Sequence, residues 1–130
     1  MGFNWLAVLA ASVAAFVLGG LWYGPLFGRM WMKASGMTEE KVKGGNSARI
    51  FGISFVMTLV AAIVLARFIG EGASGGVGAG AGFAIGAALV STMLGVFYQF
   101  EHRPVAHWLV NAAYATAAFT LMGFIIGVWP

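Results

Sequence analysis

Four long apolar stretches, running roughly Phe3 to Tyr23, Ser47 to Phe68, Val77 to Phe100 and Val105 to Trp129, occupy most of the chain. Each is about 20 residues or longer, and at about 1.5 Å of rise per residue a helix of that length matches a hydrocarbon layer about 30 Å thick. Lipid offers the backbone no hydrogen bonds, so every N–H and C=O inside it must pair within the protein, which leaves helices or a closed barrel. The runs lack period-2 alternation, and that selects helices. The expected fold is all-α: a four-helix transmembrane bundle occupying residues 1–130 as a single domain.

Composition excludes several function classes. With 61% hydrophobic and 8% charged residues, against roughly 25% charged in a soluble domain, the surface must be solvated by lipid. Cysteine is absent, which removes disulfides, thiolate nucleophiles and Cys-ligated metal or iron–sulfur centres. The formal charge of +3 matters through its placement, and nucleic acid is not an expected partner. The N-terminus lacks the basic region of a signal peptide, and its apolar run exceeds an h-region of roughly 7–15 residues, so it reads as a retained first span.

The cations give an orientation. Arg29, Lys33, Lys41, Lys43 and Arg49 surround the first connection and Arg103 lies in the third, whereas the other side carries only Arg67. The positive-inside rule then places both termini outside and residues 24–46 and 101–104 in the cytoplasm, in a bacterial inner membrane. Trp5 and Trp129 mark one interface, and Trp22, Tyr23, Trp31, Tyr98 and Trp108 the other, as anchoring aromatic rings.

Between the first two spans, Leu26, Phe27, Met30, Trp31 and Ala34 share one helical face while Arg29 and Lys33 share the other, with Pro25 suited to the first turn. That pattern predicts a short interfacial helix, apolar face down and cations toward anionic headgroups. Gly36 is a plausible stop, Thr38 an N-cap for a second short turn bearing Glu39 and Glu40, and Ser47 a cap for the second span. A disordered polar loop is the alternative.

Twenty glycines form a second signal. Gly78, Gly82 and Gly86 make an i, i+4 row, and Gly123 and Gly127 repeat that spacing. Small rows let helix backbones approach closely where lipid supplies no hydrophobic drive. They suit packing within one bundle, and contacts between copies are expected as well. The glycine-rich run lacks the Gly-Lys-Ser/Thr of a phosphate loop and follows no strand, so nucleotide binding is not expected.

Chemistry concentrates at Glu101-His102-Arg103-Pro104 and beyond it. Pro104 suits the first position of the fourth helix, which puts His107, Asn111 and Tyr114 on one face at i, i+4, i+7, with Tyr98 and Gln99 near enough to join them. One reading is a proton-handling or substrate-binding patch, with His107 titrating near neutral pH. The favoured one is an interhelical hydrogen-bond network holding register, with Glu101 and Arg103 as solvated turn charges. A metal site from Glu101, His102 and His107 lacks ligands within one subunit, and bis-histidine haem ligation would need His107 from two subunits. No metal or cofactor is expected. No carboxylate falls inside a span, which argues against an acidic proton relay.

Several runs carry a more specific likeness: Asn4-Trp5-Leu6-Ala7-Val8 at the start, Leu21-Trp22-Tyr23-Gly24-Pro25-Leu26-Phe27-Gly28, the Gly36-Met37-Thr38-Glu39-Glu40 turn, and Phe100-Glu101-His102-Arg103-Pro104 with Asn111-Ala112-Ala113-Tyr114. In these, and in Leu121-Met122-Gly123, the chain resembles the DUF1761 family, small bacterial and fungal membrane proteins of undefined function. The resemblance implies an integral membrane protein of about four spans and transfers no catalytic residue. It singles out Asn4, Trp22 to Pro25, Asn111 and Tyr114.

The leading expectation is a non-enzymatic membrane protein that self-associates or serves as an accessory subunit of a larger membrane assembly. A homo-oligomeric channel or small-solute transporter is the second, with Asn4, His107, Asn111, Tyr114, Ser54, Thr58, Ser91 and Thr92 converging on one wet axis. A membrane enzyme acting on a lipophilic substrate is the third, and it would need an apolar cleft open to lipid.

Overall fold

The structure, a computed structural model, describes residues 4–130, so Phe3, at the expected start of the first span, lies outside the described residues. These residues are helical, without strands, and four helices are long and apolar enough to cross a membrane. They are α1 (Trp5–Leu26), α4 (Ser47–Ile69), α5 (Gly75–Phe100) and α6 (Val105–Val128). Two short helices, α2 (Gly28–Ser35) and α3 (Glu39–Gly44), lie in the connection between α1 and α4.

Small polar side chains set the helix starts. Asn4 Oδ1 accepts from the Leu6 and Ala7 amides, Thr38 Oγ1 from Lys41, and Ser74 Oγ from Val77. Each satisfies amides that have no partner in a helix's first turn. The cap of α4 is Asn46 rather than Ser47, with Oδ1 3.1 Å from the Arg49 amide. Gly36 ends α2 at φ 77°, a conformation open to glycine at little cost. At the end of α5 the same role falls to His102 at φ 57°. The His102 amide donates to Gln99 and the Arg103 amide to Tyr98, the paired bonds of a Schellman stop.

Two spans depart from regular α-helix. Pro25 sits inside a π-helical turn, Trp22–Leu26, that continues α1, instead of opening the interfacial helix. The wider turn tolerates a residue without an amide, and the Phe27 amide closes it on Trp22 O at 2.8 Å. A second π turn, Ile85–Val90, interrupts α5, and Ser91 Oγ caps the Gly86 carbonyl there at 2.6 Å. α5 also begins at Gly75, before the expected Val77, because packing on α6 outweighs glycine's poor helix propensity.

α6 is the central helix, touching α1, α4 and α5. On one side Val8, Ala11 and Ala15 of α1 meet Ala62, Leu65 and Ala66 of α4 and Ala118 and Met122 of α6 in a small-residue core. On the other, α5 lies backbone to backbone along α6. A Cβ built on Gly78 would strike the Gly123 carbonyl, one on Gly82 that of Phe119, one on Gly127 that of Ser74, and one on Gly86 would crowd Thr116. The glycine rows of the two helices thus face each other within the chain.

Candidate functional site

One cluster of polar groups at membrane depth lies where α1, α5 and α6 meet, at the end of the bundle that carries the basic connections. Tyr23, in the π turn, donates its hydroxyl to Asn111 Oδ1 at 2.6 Å, and Asn111 Nδ2 donates to the Tyr98 hydroxyl at 2.9 Å. One amide therefore bridges three helices. A turn deeper, the Tyr114 hydroxyl donates to Ala15 O at 2.8 Å, and Gly19 leaves the space that the ring occupies. Trp22 Nε1 donates to Val110 O at 3.0 Å. The rings pack around these bonds, Tyr23 edge-on to Tyr114 at 5.4 Å and to Trp31 at 5.7 Å.

His107 is buried and stacks on Tyr98, ring centroids 4.6 Å apart, and its Nδ1 has no hydrogen-bond partner among the described residues. Gln99 is exposed and makes no side-chain hydrogen bond with the cluster. Arg103 pairs with Glu101 at 3.2 Å and reaches Ser35 O at 3.3 Å, so the α5–α6 turn is clipped to the last carbonyl of α2. His102 is exposed, its contribution the left-handed backbone of the turn. Along α2, Arg29, Lys33 and Met30 are exposed, Trp31 is half-buried, and Phe27 precedes the helix and packs on Trp22 at 4.7 Å. No three His, Asp or Glu side chains converge among the described residues.

A second network lies between α5 and α6. Ser91 Oγ is 3.2 Å from Ala112 O and 3.3 Å from Thr116 Oγ1, while Trp108 Nε1 donates to Ser91 O at 2.8 Å. Residues 6–127 match the family of proteins of unknown function DUF1761. The chain belongs to the DUF1761 family. No curated protein and no solved structure matches it.

In this DUF1761 chain Asn4 lies at the far end of α1 from Tyr23, about 28 Å away along the helix. It lines a separate cavity of about 480 Å³ with Gly70, Glu71 and Trp129. Ser54 and Thr92 are exposed, and the Thr58 and Thr92 hydroxyls bond back to carbonyls of their own helices. Within the chain, Asn4, Ser54 and Thr92 thus lie apart from the cluster around Asn111. Trp22, Tyr23 and Trp108, read from sequence as anchors, are hydrogen-bonded between helices. An anchoring ring and a bridging one give the same sequence signal. For Trp22 and Tyr23 the sign was their place in the Trp-Tyr-Gly-Pro run that carries the family likeness.

Chemically, the cluster is a hydroxyl–amide–hydroxyl chain with no carboxylate in it. It can hold three helices in register, and apart from the His107 ring it offers no acid–base pair.

Proposed function

We propose that this DUF1761 protein is a non-enzymatic, self-associating component of a bacterial cytoplasmic membrane, with both termini outside and the two basic connections in the cytoplasm. The observation that carries this reading is the pairing of side-chain polarity within the bundle: Tyr23, Asn111, Tyr98, Tyr114, Trp22, Trp108 and Ser91 all bond across helices. Groups committed to register are not available to hydrate a solute. What the chain presents to its surroundings is apolar surface, including Ile53, Met57, Val60 and Phe83. In lipid, such surface associates through shape and close backbone approach.

Native mass spectrometry of the protein released gently from its own membrane tests the reading. Multiples of 13.6 kDa are expected, and a monomer free of other chains would overturn it. A second reading, proton handling or solute binding at His107, is favoured by the unpartnered Nδ1. His107→Phe separates the two. It keeps a ring to stack on Tyr98 and deletes both nitrogens, so the assembly reading expects an unchanged oligomer that melts no lower than the parent.

A further inference from the structure

The short helix α2 packs on α6, and three contacts tie it to the polar cluster. At its start Phe27 lies on Trp22, whose indole bonds Val110 O. Midway along, Trp31 stands edge-on to Tyr23, the ring that donates to Asn111. At its end Arg103 Nη1 donates to Ser35 O at 3.3 Å, and Glu101 orients that guanidinium by accepting from Nε at 3.2 Å. α2 is thus a strap laid over one side of the cluster and clipped at its far end by a single arginine.

Two polar atoms near that clip are unsatisfied. Ser35 Oγ and His107 Nδ1 are sealed from water and have no hydrogen-bond partner among the described residues. Buried polar atoms ordinarily bond protein or ordered water, and since no water reaches these two, only a movement of the chain around them can satisfy them. His107 makes the arrangement sensitive to charge. Its ring is 7% exposed and lies parallel to Tyr98 of α5, and Arg103 and Glu101 of the turn are the charged groups whose fields reach it. Tyr23 of α1 meets the cluster through Asn111, and the cations of α2, Arg29 and Lys33, are exposed. A protonated imidazole carries N–H on both nitrogens, and each needs an acceptor. The stacked position gives Nδ1 none, and Glu101 is already held by Arg103.

We propose that α2 is a strap released by a proton: the neutral His107 ring keeps it closed, and protonation of that ring frees it. The charged ring leaves the Tyr98 stack for Glu101 and water. Glu101 is drawn from Arg103, the guanidinium loses its orientation, and the clip on Ser35 O opens. α2 then swings between the π turn that holds Pro25 and Gly36, which sits at φ 77° with open space around it. Trp31 lifts from Tyr23, and Ser35 Oγ and His107 Nδ1 meet water. Because the closed strap suits the neutral ring and the open strap accepts either form, the open state takes up the proton, and acidification through the ordinary histidine range, about 6.5, favours it. The inference needs neither self-association nor a solute, so its failure would leave the reading above untouched.

The natural absence of cysteine lets two spin labels report the strap. Lys33→Cys and Val105→Cys place them at exposed positions on α2 and on the first turn of α6. Their separation is read by double electron–electron resonance in lipid nanodiscs at pH 8 and pH 5.5. A short distance is expected at pH 8, and a longer one should grow as the pH falls, the ratio of the two changing by at most about tenfold per pH unit for a single proton. His107→Phe, which keeps the stack, should hold the short distance at both pH values. Arg103→Gln, in the exposed turn, should show the long distance already at pH 8. An unchanged distribution in the parent would overturn the proposal, as would a shift that survives in His107→Phe or a short distance in Arg103→Gln. Loss of helix content by circular dichroism at pH 5.5 would mean unfolding in place of release and overturn it as well.

Discussion

Asn111 directs its carbonyl to Tyr23 and its amide to Tyr98, so one side chain serves α1, α5 and α6 at once. Interhelical hydrogen bonds in membranes contribute about 0.6 kcal/mol on average and up to about 1.7. Asn111→Leu, which removes both, is expected to lower stability by about 1–2 kcal/mol, measured by unfolding in mixed micelles. A double-mutant cycle with Tyr23→Phe should return a coupling of about 0.6 kcal/mol, and zero coupling would mean that the bond is not made. His102 offers the opposite sign. Left-handed backbone costs a non-glycine residue about 1–2 kcal/mol, so His102→Gly is expected to raise stability by about 0.5–1 kcal/mol after allowing for glycine's looser unfolded chain. His102→Val should lower it. Both are read as shifts in melting temperature.

Between helices, glycine position decides the sign of a substitution. Gly80 faces open space, and Gly82, two residues on, lies against the Phe119 carbonyl. Gly80→Ala is expected to stabilise by up to about 1 kcal/mol through helix propensity. Gly82→Ala forces α5 and α6 apart and should lower the melting temperature and the yield of folded protein, and a neutral result would contradict the backbone contact. The i, i+4 spacing of these glycines was legible in the sequence, as were the four spans to within a few residues, because an apolar run of that length has one stable form in lipid. Gly36 and Thr38 declared helix ends through local chemistry, and Pro104, expected at the first helical position, instead stands one residue earlier as the extended N-cap of α6. For the candidate site, the 3.6-residue period put His107, Asn111 and Tyr114 on one face, but it could not say that Tyr98 would turn inward while Gln99 faced out. Ser91 gives no such sign in the sequence, because a serine's preference between its own helix and a neighbour is settled only by packing. The π turns left no propensity signal at all.

For the molecule as a whole, the orientation proposed from its charge is open to measurement one position at a time, because the chain has no cysteine. Gly45→Cys and His102→Cys are expected to react with an impermeant maleimide only in opened cells, and Glu71→Cys in intact ones. The reverse pattern would invert the protein in the membrane. The π turn Ile85–Val90 holds the two halves of the bundle in phase. On an uninterrupted helix, Gly86 and Tyr98 would point about 120° apart, since each residue turns the helix by about 100°. A single surplus residue in that turn reduces the offset to about 20°, so that the glycine row and the tyrosine both face α6. The segment behaves as an in-frame insertion retained in the helix. Removing the exposed Leu89 would leave eleven regular steps between Gly86 and Tyr98, an offset of the same roughly 20°, and so restore a regular helix with Tyr98 still facing Asn111. The expected signature of that deletion is normal membrane insertion with the Asn111–Tyr98 bond kept, and a loss of stability matching Asn111→Leu would contradict this phasing.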